Sequence, residues 1–244
     1  MKSILVTGGS RGVGAAICRL AAARGYDVCF SYMNDEASAQ RVERSIRDFG
    51  QRSVAVRADM RSEADVTSLC YAASNAFGHL SALVNNAAIT GPVGPFEGSD
   101  PAEIESVLDV NMLGPMRCIR AALPIMSGQS GSAVVNISSG AAQSGSPGRY
   151  VGYAASKAAL ETFTRGIAVE LAPKGVRVNA VSPGVTDTDM HAAPPESEKR
   201  GRLERSIPLG RMAQPEEIAL PVLWLLSEEA SYVTGAVLRV AGGR

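Results

Sequence analysis

The feature that most constrains the fold is a regular alternation of short β-branched runs with longer helical patterns. Strands are predicted at Ile4–Thr7, Val28–Tyr32, Ser53–Arg57, Ala82–Asn85, Ala133–Ser138, Val176–Val181 and Ala236–Val240. Helices are predicted after Gly12 and near Glu36–Phe49, Ser62–Phe77, Pro101–Met126, Gly152–Leu171 and Pro215–Leu226. Alternating strands and helices build parallel sheets that helices cover on both faces. The sequence therefore predicts an α/β fold with one doubly wound parallel sheet of about seven strands flanked by helices.

The length and composition favour one globular domain. Apolar residues make up 45% of the 244 residues, with 25 Gly and 13 Pro, which excludes collagenous, low-complexity and disordered classes. No internal repeat and no linker-like run divides the chain. We therefore expect a single domain over residues 1–244.

The charges and the cysteines limit the partners and the cellular location. The chain has 24 basic and 24 acidic residues without a dense basic face, so neither nucleic acid nor a membrane surface is an expected partner. No secretory signal is visible at the N-terminus, and no stretch approaches the ~18 apolar residues of a membrane span. Four scattered cysteines are expected to be reduced and buried, and two histidines make a metal site unexpected. These features favour a cytoplasmic protein with a small neutral partner.

One segment breaks the regular pattern. Between Val185 and Arg211, prolines and a charged run replace the helical periodicity. This segment follows a predicted strand at its carboxyl end, where doubly wound sheets bind their ligands. Long irregular segments in compact domains are commonly functional, so we predict a substrate lid at about residues 186–210.

A glycine-rich turn joins the first strand to the first helix. Its sequence, Thr7-Gly-Gly-Ser-Arg-Gly-Val-Gly14, has the spacing Gly8-x-x-x-Gly12-x-Gly14. Glycines allow a tight turn and a close approach of the backbone to a ligand, and a helix N-terminus stabilises a phosphate. The turn therefore predicts a site for the pyrophosphate of a dinucleotide.

The same turn allows a different interpretation. Gly8-Gly-Ser10-Arg-Gly12 also fits the Gly-x-Ser-x-Gly nucleophile elbow of an α/β-hydrolase. That fold needs a loop from an earlier strand for its oxyanion hole, and a histidine after the serine. No strand precedes Ile4–Thr7, and His79 and His191 are the only histidines. The hydrolase remains an alternative, whereas the P-loop motif is absent.

Tyr153 and Lys157 are spaced four residues apart in a predicted helix, so their side chains share one helix face. Alone, this pair is more typical of a half-buried tyrosine beside a solvated lysine. Three further motifs accompany it in order along the chain: Asn85-Asn-Ala-Ala88, Asn136-Ile-Ser-Ser139 and Pro183-Gly184. Together with the glycine turn, they make the chain similar, over nearly its whole length, to the short-chain dehydrogenase/reductase family, including members like 3-oxoacyl-[acyl-carrier-protein] reductase and glucose 1-dehydrogenase.

The resemblance implies a Rossmann-type oxidoreductase that interconverts a carbonyl and a secondary alcohol by hydride transfer, often as a homotetramer or a homodimer. It implies a catalytic tetrad of Asn111, Ser139, Tyr153 and Lys157. Tyr153 would exchange the proton, and the Lys157 ammonium is expected to lower the tyrosine pKa from ~10. Ser139 is chosen over Ser138 because the family uses the last serine of this motif.

The resemblance also implies the cofactor contacts. The expected pyrophosphate and ribose contacts are Gly8, Ser10, Arg11, Gly12, Val13 and Gly14. Tyr32, which ends the second strand, is also an expected cofactor contact. Asp59 and Met60 would bind adenine, although Asp59 is equally interpreted as a turn or helix N-terminal residue. Asn86, Ala87 and Ala88 would line the cleft beside Tyr153 and Lys157, and Pro183, Gly184, Val185 and Thr188 would hold the carboxamide. Ala88 replaces the family's usual glycine, which is tolerable if its φ is negative.

The end of the second strand predicts the cofactor preference. Ser31 and Tyr32 are neutral there, whereas enzymes that use NAD place an acid that repels a 2′-phosphate. Asp35 is interpreted as the cap of the next helix, and Arg11 supplies a cation for the phosphate. Met33 occupies a position that is often basic in relatives that use NADP. We therefore expect NADP(H) to be favoured with NAD(H) possible. A second alternative is a nucleotide sensor without activity, although no tetrad residue is lost.

Overall fold

The computed structural model describes residues 2–126, 131–188, 201 and 203–244. Within them lies one sheet of seven parallel strands in the order β3-β2-β1-β4-β5-β6-β7. The strands are β1 (Lys2–Val6), β2 (Tyr26–Tyr32), β3 (Ser53–Arg57), β4 (Ala82–Asn85), β5 (Ser132–Ile137), β6 (Val176–Pro183) and β7 (Val237–Val240). The predicted doubly wound sheet is confirmed, with each strand within two residues of its predicted bounds.

Helices cover both faces of this sheet. They are α1 (Gly12–Ala23), α2 (Glu36–Asp48), α3 (Glu63–Phe77), α4 (Pro101–Leu108), α5 (Gly114–Met126), α6 (Ala141–Ser144), α7 (Val151–Leu171) and α8 (Pro215–Leu226). Successive residues of a strand point to opposite faces. In β1, Ile4 packs into the core under α1, α2 and α8, while Leu5 packs into the core under α3, α5 and α7.

The long helix predicted over Pro101–Met126 contains an irregular turn. A π-helical turn (Asp109–Leu113) lies between α4 and α5 and includes Asn111. Such a turn adds a residue to the helix and reorients the side chains around it, and it is frequent at functional sites. Asn111 is consequently directed inward, with 0% of its side chain exposed.

The strand order reverses between β1 and β4, which both continue into loops at the carboxyl edge of the sheet. This is the position at which doubly wound sheets bind ligands. The glycine turn follows β1, and Asn85-Asn-Ala-Ala88 follows β4, so both motifs meet at this crevice. The predicted lid lies largely outside the described residues, which include only its two ends, Thr186–Thr188 and Gly201 with Leu203–Gly210.

The four cysteines are free and buried, as predicted. Burial raises the pKa of the Cys70 thiol to about 11 and that of Cys29 to about 12, which keeps both in the neutral form. In the described part of the chain, no group of acidic, histidine or cysteine residues could hold a metal ion. None of the described helices is long and apolar enough to span a bilayer.

Candidate active site

The glycine turn has the backbone geometry that its sequence predicts. Gly8 and Gly12 adopt φ angles of +66° and +52°, which side chains disfavour. A Cβ atom on Gly14 would overlap the carbonyl oxygen of Gly8, so the first turn of α1 packs directly on the loop. Arg11 precedes α1, and its side chain is exposed. The turn therefore leaves an open backbone cradle at a helix N-terminus, which fits a pyrophosphate.

Asn86 holds this cradle in place. Its side-chain Nδ2 donates to the carbonyl oxygens of Thr7 at 2.9 Å and Gly8 at 3.0 Å. In the other direction, the Thr7 hydroxyl accepts from the backbone N–H groups of Asn86 and Ala87, both at 3.0 Å. The sequence placed Asn86 as a lining residue of the cofactor cleft. Its side chain ties the loops after β1 and β4 to each other.

The remaining cleft residues lie around this cradle. Outside glycine, only Ser146 has a positive φ in the described part of the chain, so Ala88 introduces no backbone strain. Thr188 reaches the glycine turn, because a Cβ on Gly12 would lie 3.3 Å from its Cγ2 atom. After β6, the Pro183 carbonyl accepts from Gly140 N and the Gly184 N–H donates to Val240 O, both at 2.8 Å. These bonds fix the loop that contains Val185.

The end of β2 has no free acid. Asp35 caps α2, as predicted, and accepts from the Ser38 N–H at 2.8 Å. Its hydrogen bonds with Ser38 lower the pKa of Asp35. Ser31 is also engaged, because its hydroxyl accepts from Gly8 N at 3.0 Å. The last two side chains of β2 are therefore neutral, and the ionised Asp35 carboxylate lies further along the chain, bonded to Ser38.

Arg57 is a candidate site residue that the sequence analysis did not name. It pairs in register with Tyr32 across β2 and β3, and its Nε donates to the Met33 carbonyl at 3.1 Å. Met33 occupies the position that is often basic in relatives that use NADP. Arg57 on the neighbouring strand β3 places a cation beside it. Only the register between β2 and β3 places Arg57 beside Met33, and this register is a long-range property of the fold.

The residues expected at the adenine have other partners. Asp59 forms an ion pair with Arg61 at 2.7 Å, and the hydrogen bond from Arg61 lowers the pKa of Asp59. Ser62, not Asp59, caps α3, so Asp59 is a turn residue. Met60 is buried in the core, and its carbonyl accepts from Arg117 at 3.2 Å. A role of Asp59 and Met60 at the adenine stays a prediction.

Three of the predicted catalytic side chains converge between β5 and α7. Tyr153 and Lys157 lie one turn apart on α7, and the Ser139 side chain is close enough to Tyr153 to act on its pKa. The Ser138 hydroxyl instead donates to the buried carboxylate of Glu161 at 2.7 Å. Adjacent residues at a strand end point to opposite sides. This geometry agrees with the choice of Ser139 over Ser138.

Lys157 and Asn111 lie deeper in the same region. Lys157 is 2% exposed, its Nζ donates to the Ile137 carbonyl at 2.8 Å, and it lies 5.7 Å from the Tyr153 ring centroid. Asn111 Nδ2 donates to the Ile89 carbonyl at 2.8 Å and to the Ser156 hydroxyl at 3.1 Å. The Asn111 Oδ1 atom accepts from Ile89 N at 3.0 Å. Asn111 therefore positions the loop after β4 beside α7.

The structure differs from one electrostatic expectation. Burial raises the pKa of Tyr153, and its hydrogen bond with Ser139 only partly offsets this effect. Burial also lowers the pKa of Lys157 to about 7. The lysine Nζ is bound to a backbone carbonyl, and desolvation disfavours the charged form of both groups. Burial, and not the ammonium, is therefore the dominant effect on the tyrosine pKa.

A shallow cleft opens beside Tyr153. Its lining includes the apolar Phe96 and Ile104 and the polar or charged Glu103, Arg149 and Tyr150. The Tyr153 side chain is thus placed at the edge of a cleft whose walls combine apolar and polar residues.

Comparisons with known proteins agree with this geometry. A family model described as enoyl-(acyl carrier protein) reductase matches residues 8–244. Uncharacterized oxidoreductase YgfF of Escherichia coli is 42% identical over 247 residues, covering 100% of both chains. Cis-4-hydroxycyclohexanecarboxylate dehydrogenase of Sinomonas cyclohexanicum is 39% identical over 98% of this chain and 94% of its own. A Burkholderia cenocepacia short-chain dehydrogenase in complex with NADP is similar with a TM-score of 0.93 at 34% identity, covering 99% and 97% of the two chains.

The chain belongs to the short-chain dehydrogenase/reductase family. It is an oxidoreductase that acts on alcohol and carbonyl groups. The positions of Ser10 and His79 do not support the hydrolase alternative. Ser10 follows β1 at the carboxyl edge of the sheet, whereas the His79 carbonyl accepts from Ser3 at the opposite end of β1, at 2.7 Å. His191 lies outside the described residues.

Proposed function

We propose that the protein is an NADP(H)-dependent oxidoreductase that interconverts a carbonyl and a secondary alcohol through Asn111, Ser139, Tyr153 and Lys157. One observation carries this proposal: Tyr153 lines the cleft, with Ser139 close enough to act on its pKa and Lys157 one helical turn away. A protonated phenol is the form that reduction requires, because the tyrosine must give a proton to the carbonyl oxygen.

The bound cofactor would supply the hydride. Tyr153 donates its proton to the substrate oxygen during reduction and removes it during oxidation. Ser139 stabilises the charge that develops on this oxygen. Lys157 replaces the proton of Tyr153 from its buried position, and its pKa of about 7 suits exchange near neutrality. Asn111 holds the Ile89 backbone and Ser156, which orders the wall between the cleft and α7.

The preference for NADP(H) rests on charge at the end of β2. Arg11 and Arg57 supply two exposed guanidinium groups near this end. The Asp35 carboxylate caps helix α2 by accepting from the Ser38 N–H group. The Arg57 contact with the Met33 carbonyl keeps its side chain beside β2. A guanidinium binds a phosphate through two N–H groups. The NADP complex of the Burkholderia cenocepacia relative supports the same preference.

We also propose a single domain over residues 1–244 that forms a homodimer or homotetramer. Exposed apolar side chains on the π-turn and neighbouring helices, including Leu108, Leu113 and Val169, support association through this face. Light scattering coupled to size-exclusion chromatography measures the state, and a strict monomer would contradict the proposal. A cytoplasmic location stays a prediction.

The loss of NADPH absorbance across ketones, diketones, sugars and 3-ketoacyl thioesters tests the proposed activity. Tyr153→Phe is expected to reduce turnover at least about a hundredfold, because it removes the proton donor, while NADPH affinity is retained. Tyr71→Phe, on an exposed site of α3, is the matched control. Ester cleavage that depends on Ser10 would favour the hydrolase instead. NADPH binding without turnover of any substrate would favour a sensor.

A further inference from the structure

A row of buried polar contacts joins helix α7 to the end of strand β5. Tyr153 and Ser139 lie where this row reaches the cleft, and Ser139 is close enough to Tyr153 to act on its pKa. Hydrogen bonds fix the distance between two elements more narrowly than apolar packing does. The contacts join Thr164 Oγ1 to Asn136 Nδ2 at 2.9 Å, Glu161 Oε1 to the Ser138 hydroxyl at 2.7 Å, and Lys157 Nζ to the Ile137 carbonyl at 2.8 Å.

Glu161 is a buried titratable group in this row that the proposed proton exchange does not use. It is 6% exposed, and its ion pair with Arg165 is long, at 3.7 Å, to an arginine side chain that is 55% exposed. Burying a carboxylate costs free energy, and an apolar residue of similar volume is often as stable or more stable at such a position. Stability alone therefore does not explain why a carboxylate lies between α7 and β5.

The partner of Glu161 lies directly before the catalytic serine. The Ser138 N–H group donates to the Val181 carbonyl at 2.7 Å, which holds the end of β5 within the sheet. The Ser138 side chain extends to the other element, α7, through Glu161. Reacting groups have to be held within about 0.5 Å of their productive geometry, by neighbours that are themselves fixed. The Glu161 contact thus connects the segment that contains Ser139 to the helix that contains Tyr153.

We propose that Glu161 is a positioning residue for the reaction, which sets the distance between Ser139 and Tyr153 by binding the Ser138 hydroxyl from α7. This inference rests on the proposed function, because it takes Ser139 and Tyr153 as the groups that meet the substrate oxygen. Glu161 is not among the residues that line the cleft beside Tyr153. It acts through Ser138 and does not contact the substrate.

The test replaces Glu161 in the full-length protein by two residues of similar size. Glu161→Gln keeps an oxygen that accepts from Ser138, whereas Glu161→Leu removes it. The Ser138 hydroxyl retains the Lys157 carbonyl as an acceptor at 3.4 Å, so the urea midpoint of Glu161→Leu should change little. Single-turnover oxidation of NADPH by 2,3-butanedione or ethyl acetoacetate should slow about tenfold in Glu161→Leu and less than about threefold in Glu161→Gln. NADPH affinity, measured by fluorescence, should not change.

A double-mutant cycle with Ser139→Ala separates positioning from a general loss of structure. Because Glu161 acts through Ser139, Glu161→Leu should not slow the Ser139→Ala variant further. Ser138→Ala breaks the same contact from the strand and provides a second cycle. It should slow the reaction about as much as Glu161→Leu and less than Ser139→Ala does. Combining Ser138→Ala with Glu161→Leu should add little to either change.

Ser182→Ala is the matched control. Ile137 pairs in register with Val181, so the following residues, Ser138 and Ser182, lie side by side in the sheet. Ser182 is 0% exposed, and its hydroxyl has no hydrogen-bond partner within the described part of the chain. Its replacement removes a buried hydroxyl next to Ser138 without breaking the Glu161 contact, so the single-turnover rate should stay at the wild-type value.

Two results would overturn the inference while the proposed function stands. One is a single-turnover rate of Glu161→Leu within about twofold of the wild type, and the other is an equal reduction in the wild-type and Ser139→Ala backgrounds. A wild-type protein that reduces no carbonyl compound with NADPH would overturn both the inference and the proposed function.

Discussion

Replacing the buried lysine by methionine separates its cost to stability from its role in turnover. Lys157 is 2% exposed, and burial lowers its pKa from 10.5 to about 7. Each pKa unit corresponds to about 1.4 kcal/mol, so keeping this group charged in the folded protein costs on the order of 5 kcal/mol. Methionine fills a similar volume without a charge. Its introduction also leaves the Ile137 carbonyl without its 2.8 Å partner, at a cost of about 1 kcal/mol.

The sign of the pH dependence follows from proton binding. Below about pH 7, Lys157 is charged in the folded and the unfolded states, so the wild type carries the full cost. Between about 7 and 10.5, the unfolded state binds more protons, and the wild type gains stability as the pH rises. Lys157→Met should therefore be more stable by a few kcal/mol near pH 6.5, and this advantage should fall by roughly 2 to 3 kcal/mol by about pH 9.

Urea unfolding of both proteins across this pH range, at one protein concentration, measures the difference. Subtracting the two curves removes the titration of every group that the variant shares with the wild type. Turnover should be lost at every pH, because the variant has no proton to give to Tyr153. A difference in unfolding free energy that stays flat or grows with pH would refute the inferred burial of the charge.

Three further predictions concern the cradle and the tetrad. Gly14→Ala should destabilise the fold by about 1–3 kcal/mol and abolish NADPH binding, because its Cβ would overlap the Gly8 carbonyl oxygen. Urea unfolding measures the loss of stability, and cofactor fluorescence measures NADPH binding. Ser138→Ala should cost about 1–3 kcal/mol in unfolding free energy by removing the partner of a buried carboxylate, whereas Ser139→Ala should mainly reduce kcat; the reverse pattern would exchange their roles. Arg11→Ala should reduce kcat/KM with NADPH about tenfold and change the value with NADH far less; equal losses would show that Arg11 does not bind the phosphate.

The local pattern of the sequence was sufficient to predict where the strands and helices of the fold lie. Strand β4 (Ala82–Asn85) and helix α8 (Pro215–Leu226) have the predicted bounds, and α7 begins one residue before its predicted start. Periodicity and capping residues act within a few positions of the chain, so they are readable before the fold is known. The order of the motifs likewise placed the glycine turn and the serine, tyrosine and lysine positions.

Tertiary structure decided the environment of these residues. The pairing of β2 with β3 brings Arg57 beside Met33, which strand periodicity does not specify. The sequence predicted a tyrosine pKa lowered by Lys157, but the packing of α7 on β5 buries the lysine and directs its Nζ to Ile137. Desolvation depends on every group packed around a charge. The spacing along one helix, taken with the accompanying motifs, was therefore enough to identify the pair, and only the surrounding fold could determine which of its protonation states is favoured.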